Sequence, residues 1–446
     1  MMATQPSGSS AERVRSLTKE VERLRRDRER LRSSASFRLG RHLTRAVQQP
    51  WRLIALPVTF PLAVLNVGRE RLGRRPAASR ALEAPTLQSR RHSIVLFPTN
   101  GVGFGHFTRM LALARCLKST DPSLDVVMFT SMPTLHIPYS EDIPTYHLAG
   151  RGKHDDMTSS TWNGILEDML RTVLDVHRPH AFVFDGAFPY RGMLNAIAEE
   201  STMHSFWVRR GMFREGSSVP VDSIQHFDHI VRPGDAVSAP LSDEADHGVP
   251  IMSTPPFLLH HRDELFDRTM ARRRLGLSEG KKAVYVQLGA GRINDITSEI
   301  RTVTDLLLED PDVEVVLGES MLGARLEMNM ERVILLRDYP NVLYLNAFDA
   351  LVQAGGYNSF HEARQVRIPT LFLPNMNTGM DDQLARTRVG EQEGWAVVNQ
   401  DRTRSGLERS LASLWGLEPT VTDAFEPWST ELVAMLTDRS KVRTGE

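Results

Sequence analysis

The stretch "AGGYNSFHEARQVRIPTLFLP", residues 354–374, is followed by "GMDDQLAR" at 379–386. An apolar run, "ALVQ", leads into a glycine pair, polar residues then recur at helical spacing, and a second apolar run ends in proline. The change of period from strand to helix and back predicts a strand–turn–helix–strand unit. Gly355 and Gly356 make the turn, and Asn358 and Ser359 occupy the first positions of the helix. Backbone N–H groups at such a start have no partner within the helix and, with the helix dipole, favour an anion. Glu362 lies three residues after Ser359 on roughly the same face, where a carboxylate can accept two hydrogen bonds from a ribose diol. The same pair satisfies the capping-box spacing, which by itself explains the pattern without any ligand. One strand later Asp381, Asp382 and Gln383 stand at the next carboxyl end, either to bind sugar hydroxyls or to cap the following helix.

The same texture extends over most of the chain. "HSIVLFP", "LDVVMFT", "HAFVFDG", "MHSFWVRR" and "FDHIVRP" alternate with helical patterns up to about residue 233. A second series follows: "KAVYVQLGAG", "VEVVLGES", "RVILLRD", "NVLYLNA", "ALVQAGG", "PTLFLPN" and "GWAVVN". Short apolar strands separated by helices imply parallel sheets covered on both faces. The fold class is α/β, with two doubly wound Rossmann-like domains facing a cleft. The expected organisation is a basic helical segment at 1–50, an apolar segment and linker at 51–92, and a first domain at 93–250. A connector at 251–280 and a second domain at 281–446 complete it. The closing helix, around "PWSTELVAMLTDR", is expected to pack back on the first domain.

Each half opens with a strand running into glycines. In "IVLFPTNGVGFGHFTR", Gly101, Gly103 and Gly105 lie between strand and helix, and His106 sits where the helix begins. Ligands of open α/β sheets bind at that edge. An imidazole there serves either as a general base or as a capping and packing group. Arg109, one turn on, either contacts phosphate or faces solvent, and Asp185 at the end of "AFVFD" either orients His106 or caps the next helix. Gly289 and Gly291 in "VQLGAGRIND" hold the equivalent place in the second half. The glycine spacing is not that of a dinucleotide fingerprint, and no Walker lysine follows. "DPD" at 310–312 falls between a helix and a strand, where Asp and Pro are turn residues.

The segment from Ala354 to Gln383 resembles the donor-binding box of inverting GT-B glycosyltransferases, the UDP-glycosyltransferases and glycosyltransferase family 28 enzymes. "AGGYNSFHE" and "DDQ" match that box in order and spacing, and "GFGHFTR" resembles the family's N-terminal G-H element. The resemblance implies that Tyr357 matches the box Trp, Asn358 and Ser359 the phosphate positions, and Glu362 the ribose-binding acid. Asp382 and Gln383 match the sugar-binding pair. The box histidine is replaced by Ala354. It further implies a sugar transferase using a nucleotide-sugar donor, UDP-linked, and a hydroxyl acceptor, with no cofactor and no metal. Two alternatives share this fold: a nucleotide-sugar 2-epimerase, and a non-catalytic subunit that organises partner transferases.

Charge distribution adds a partner. The chain of 446 residues has a formal net charge of −1, yet residues 1–75 carry 17 Lys and Arg against 6 Asp and Glu. Such a basic end favours an anionic surface. The apolar "WRLIALPVTFPLAVLNV" at 51–67 follows directly, interrupted by Pro57 and Pro61 and shorter than the ~20 residues a spanning helix needs. The expectation is peripheral membrane contact through residues 13–75, near a glycan or lipid-linked acceptor, and no nucleic acid. "AERVRSLTKEVERLRRDRERLRS" at 11–33 has short heptad-like spacing suited to self-association. The polar start "MMATQPSGSS" lacks an apolar signal region, which predicts a cytoplasmic location. The single cysteine, Cys116, excludes an internal disulfide and a cysteine metal cluster.

Overall fold

The computed structural model describes residues 34–48, 50–71, 91–99, 103–154, 156–200, 202–210, 223–237, 248–289, 296–319, 321, 331–378, 381–418 and 429–438. The chain divides into two compact units, residues 1–89 and 90–446. In the first unit, α1 (Ala35–Gln48) and α2 (Pro50–Arg71) are tied by a 3.0 Å hydrogen bond between His42 Nε2 and Thr59 Oγ1. Pro57 and Pro61 lie inside α2 rather than ending it, four residues apart. Ile54, Val58, Leu62 and Leu65 of that helix are exposed at helical spacing, yet no described helix is long and apolar enough to cross a membrane. The heptad-like stretch 11–33 lies outside the described residues.

The second unit holds two parallel sheets. The first contains β1 (Arg91–Pro98), β2 (Asp125–Thr130), β3 (Thr145–His147), β4 (Pro179–Asp185), β5 (His204–Val208), β6 (His229–Pro233) and β7 (Ile251–Thr254). Its order is β3-β2-β1-β4-β5-β6-β7. The second contains β8 (Lys282–Gln287), β9 (Val313–Gly318), β10 (Val333–Leu336), β11 (Ala350–Gln353), β12 (Thr370–Phe372) and β13 (Ala396–Val398), in the order β10-β9-β8-β11-β12-β13. Strand alternation explains the layers: Ile94 and Leu96 join the core on one face of the first sheet, Val95 and Phe97 that on the other. The helices that matter for the site are α3 (Gly105–Thr120), α9 (Tyr357–Val366) and α10 (Gln383–Gln392). Those between α3 and α9 are α4 (His136–Ser140), α5 (Ser159–His177), α6 (Arg191–Ala198), α7 (Arg268–Leu275) and α8 (Thr297–Leu308); α11 (Arg404–Trp415) and α12 (Thr430–Thr437) follow α10.

Both sheets reverse direction of growth beside their first strand, between β1 and β4 and between β8 and β11. Adjacent strands diverge into a crevice there, so residues just past those four strands meet. Pro98 at the end of β1 is in register with Asp185 at the end of β4. The closing helix α12 crosses back, burying Leu432, Val433 and Leu436 in the core beneath α3, with Leu436 O accepting from His180 Nε2 at 2.7 Å.

Two local expectations are corrected. "NVLYLNA" is a 3-10 helix, Asn341–Ala347, not a strand; Pro340 precedes it, and Val342 and Leu345 are buried one 3-10 turn apart. The connector at 251–280 begins with a strand, because Ile251–Thr254 pairs with β6 as the last strand of the first sheet.

Candidate active site

A cavity of about 440 Å³ lies where the two crevices face each other. From the first domain Gly103, Gly105, His106 and Arg109 line it; from the second come Gly289, Gly356, Asn358, Ser359, Glu362, Asp381 and Gln383. Asp185, Gly355 and Asp382 lie behind the wall, and Gly101 and Gly291 fall outside the described residues. Tyr339 bridges the domains at one edge, stacking on Phe104 with ring centroids 4.9 Å apart and meeting Thr108 Oγ1 at 2.8 Å.

On the first-domain wall, His106 Nδ1 stands 2.7 Å from Asp185 Oδ1. Arg109 is also there: its Nε donates to Asp185 Oδ2 at 2.9 Å and its Nη2 to Oδ1 at 2.7 Å. Burial alone would raise the Asp185 carboxyl, but Arg109 and His106 hold it below the usual range, so it is ionised. Asp185 Oδ1 favours a proton on Nδ1, the tautomer that leaves Nε2 its lone pair, while Arg109 Nη2, a donor 2.8 Å from the same Nδ1, opposes it. Desolvation lowers the His106 pKa and outweighs the raising effect of Asp185, so the imidazole is neutral at pH 7. Of the two expectations for Arg109, facing solvent is corrected: the side chain is buried, with Nε and Nη2 donating to Asp185, and it lines the cavity.

On the opposite wall, Gly355 adopts φ +80°, and a Cβ there would meet Thr387 Cγ2 at 2.3 Å, so the turn admits only glycine. Gly356 is the N-cap of α9 and no side chain caps it. Ser359 is thus the third residue of the helix, and the capping box that Ser359 and Glu362 spell in sequence is not formed. The first intrahelical bond, Phe360 N to Gly356 O, leaves the N–H groups of Tyr357, Asn358 and Ser359 without a helical acceptor. Glu362 accepts no hydrogen bond among the described residues, and burial pushes its carboxyl up to about 7.

The acidic pair after β12 divides differently from the expectation. Of the two expectations for Asp382, the structure shows the cap: its Oδ1 accepts from Ala385 N at 2.9 Å at the start of α10, and the residue does not line the cavity. Asp381 takes the place beside Gln383, whose Oε1 accepts from Asn375 N at 3.0 Å and whose Nε2 lies 3.4 Å from Asp381 Oδ2.

Sequence reasoning missed a charged cluster under the floor. Arg386, fully buried, donates to Asp235 Oδ1 (2.8 Å) and Oδ2 (2.7 Å), to Asp381 Oδ1 (2.7 Å) and to Gly355 O (3.1 Å). Asp235 follows β6, so this network joins the two domains; Tyr357 adds to it by donating to Gly234 O at 2.9 Å. Arg210, just past β5, reaches Asp381 Oδ1 at 3.2 Å and lies over the Tyr357 ring, as do Arg109 and Arg386. The signal for Arg210 and Asp235 was available, since both are charged residues within two positions of a strand's carboxyl end, the edge that Asp185 also marks. Arg386 gave none. Among the described residues no group of three or more His, Cys, Asp or Glu is placed to hold a metal.

No protein-family model matches the chain, and no curated protein sequence matches it. Solved structures do. The spinosyn forosaminyltransferase SpnP is similar at a TM-score of 0.51 and 13% identity, over 72% of this chain and 90% of that one. Medicago truncatula UGT71G1, complexed with UDP-glucose, matches at 0.51 and 15%, over 77% and 93%. The glycotransferase of kitacinnamycin matches at 0.50 and 18%, over 78% and 95%. At these identities the likeness is one of architecture: two Rossmann-like domains enclosing a cleft, the GT-B fold.

Proposed function

We propose that the protein is a glycosyltransferase that moves a sugar from a nucleotide donor, UDP-linked, to a hydroxyl acceptor with inversion. The observation that carries this reading is the pairing of walls: an Asp185-oriented imidazole faces a helix start with unengaged N–H groups and a carboxyl without a partner. The diphosphate would lie on the Tyr357–Ser359 amides, the ribose diol on Glu362, and the sugar hydroxyls on Asp381 and Gln383. His106 Nε2 takes the proton of the acceptor hydroxyl as its oxygen bonds to the anomeric carbon, and the bond from that carbon to the diphosphate oxygen breaks. The nucleoside diphosphate leaves with the electron pair, its charge stabilised by the helix N-terminus. Attack from the face opposite the leaving group inverts the centre. The shared architecture with UGT71G1, a protein solved with UDP-glucose bound, supports the donor class.

The basic N-terminal region and the exposed apolar stripe of α2 support a peripheral membrane position, close to a lipid-linked or cell-envelope acceptor. The test is release of UDP from a panel of UDP-sugars by the wild type and His106→Ala. Loss of about 10²–10⁴ in kcat with donor affinity retained is expected. The non-catalytic reading is favoured by Arg109, which neutralises the Asp185 carboxylate that would otherwise stabilise an imidazolium. It predicts nucleotide binding with no turnover across acceptors.

A further inference from the structure

The cation that holds the donor's second phosphate is not obvious from either glycine turn. Arg109 is fixed by its two-pronged ion pair with Asp185, with Nη2 also 2.8 Å from His106 Nδ1, and Ala354 on the second-domain wall brings no donor. Arg386 is fully buried and engaged by Asp235, Asp381 and Gly355. Arg210 differs. It lines the cavity, and its one hydrogen bond among the described residues is from Nη1 to Asp381 Oδ1, at 3.2 Å. That oxygen already accepts from Arg386 at 2.7 Å. The remaining N–H groups of Arg210 are unengaged there, although the guanidinium is largely out of solvent. It rests 5.3 Å from the centre of the Tyr357 ring, and Tyr357 is the first residue of α9. The side chain is thus held beside the uncapped helix start, from the opposite domain, by a flat aromatic surface that leaves its edge free.

We propose that Arg210 is the residue that binds the sugar-bearing phosphate of the nucleotide donor, turning its planar fork from Asp381 onto that phosphate as the ligand enters. The proposal rests on the nucleotide-sugar reading of the cavity. Asp381 remains satisfied by Arg386 and Gln383 when Arg210 leaves it, and its carboxylate gains freedom to accept sugar hydroxyls. Arg210 sits just past β5, at the carboxyl edge of the first sheet, so the contact also draws the two domains onto the same ligand. Desolvation and the nearby Arg109 and Arg386 charges disfavour the Arg210 guanidinium charge, with Asp381 offsetting them only in part, and a phosphate would relieve that cost.

The test compares two ligands on one protein. Calorimetry with the nucleoside 5′-diphosphate and 5′-monophosphate of uridine, thymidine or guanosine, whichever the wild type accepts, gives an affinity ratio that reports the second phosphate. The wild-type ratio is expected to be about tenfold or more. Arg210→Ala should bring it close to one, and Arg210→Lys, which keeps a point charge without the fork, should hold it between. An unfolded fraction cancels in the ratio, and should Arg210→Ala not fold, a cut of at least about threefold in Arg210→Lys carries the same conclusion. An unchanged ratio in the folded variants overturns the proposal while leaving the donor reading intact. Absence of binding by the wild type to all of these nucleotides overturns the donor reading itself.

Discussion

The two glycine turns that face each other across the cavity have the same plan and opposite electrostatics. At the turn before α3, His106, Arg109 and Asp185 engage one another, with contacts of 2.7–2.9 Å and Asp185 almost fully buried. At the turn before α9 the polar groups are left unengaged: three backbone N–H groups without helical acceptors and Glu362 without a donor. The first wall is preorganised, as the proposed proton transfer requires. The second leaves its hydrogen-bonding groups facing the cavity.

That contrast can be broken most forcefully at Asp185. Asp185→Asn leaves the buried Arg109 charge unpaired and should destabilise the protein by about 3–5 kcal/mol in denaturant unfolding. A change below about 1 kcal/mol would mean that the first wall is not held by this pair.

Glu362 gives the opposite result. Its folded pKa of about 7 lies above the ordinary carboxyl value, so between the two the folded protein keeps a proton that the unfolded chain has lost. Stability contributed at this position therefore falls as pH rises through that window. Glu362→Gln removes the effect, so the variant should gain about 1–3 kcal/mol on the wild type between pH 4.5 and 8. A pH-independent difference would mean that the carboxyl is not desolvated. In nucleotide titrations the same substitution should weaken binding, since an amide accepts less strongly than a carboxylate.

The helix starts provide a smaller contrast. Asp382→Ala removes a true cap of α10 and should cost about 1 kcal/mol, whereas Ser359→Ala removes none and should stay within about 0.5 kcal/mol. Equal losses at both positions would restore the capping box that the structure does not form.

The pH profile is the finest probe of the first wall. His106 has a lowered pKa, and in the proposed role it takes a proton in its neutral form, so kcat/KM should rise with pH along an acid limb below 6.5 and then level. Asp185 raises that pKa, so in any folded Asp185→Asn preparation the limb should move to still lower pH. A limb above 6.5 would contradict the desolvated imidazole.

Much of this was legible beforehand, for identifiable reasons. The strands Ile94–Phe97 and Val284–Val286 are apolar without break because both faces are covered, and only parallel sheets with helices on each side do that. Gly355 was readable because only glycine fits its left-handed backbone beside Thr387. Less legible was whether an acid caps or binds. Asp381 and Asp382 are chemically the same and adjacent, and which one points into the cavity depends on where α10 begins relative to Arg386. "NVLYLNA" misled because a buried 3-10 turn and a short buried strand share the same composition.

The sequence by itself determined the period of most strands and helices, the glycine turns at the sheet edges, and the residue types delivered there. Those are local properties, set by backbone preference and by which face is apolar. Only the tertiary structure decided which charges meet: Arg109 with Asp185 across 76 residues, Arg386 with Asp235 across 151, and Arg210 with Asp381 across 171. Strand order brings these partners together, and in a buried site the nearest opposite charge, not the residue's own neighbours in the chain, fixes what an ionisable group is free to do.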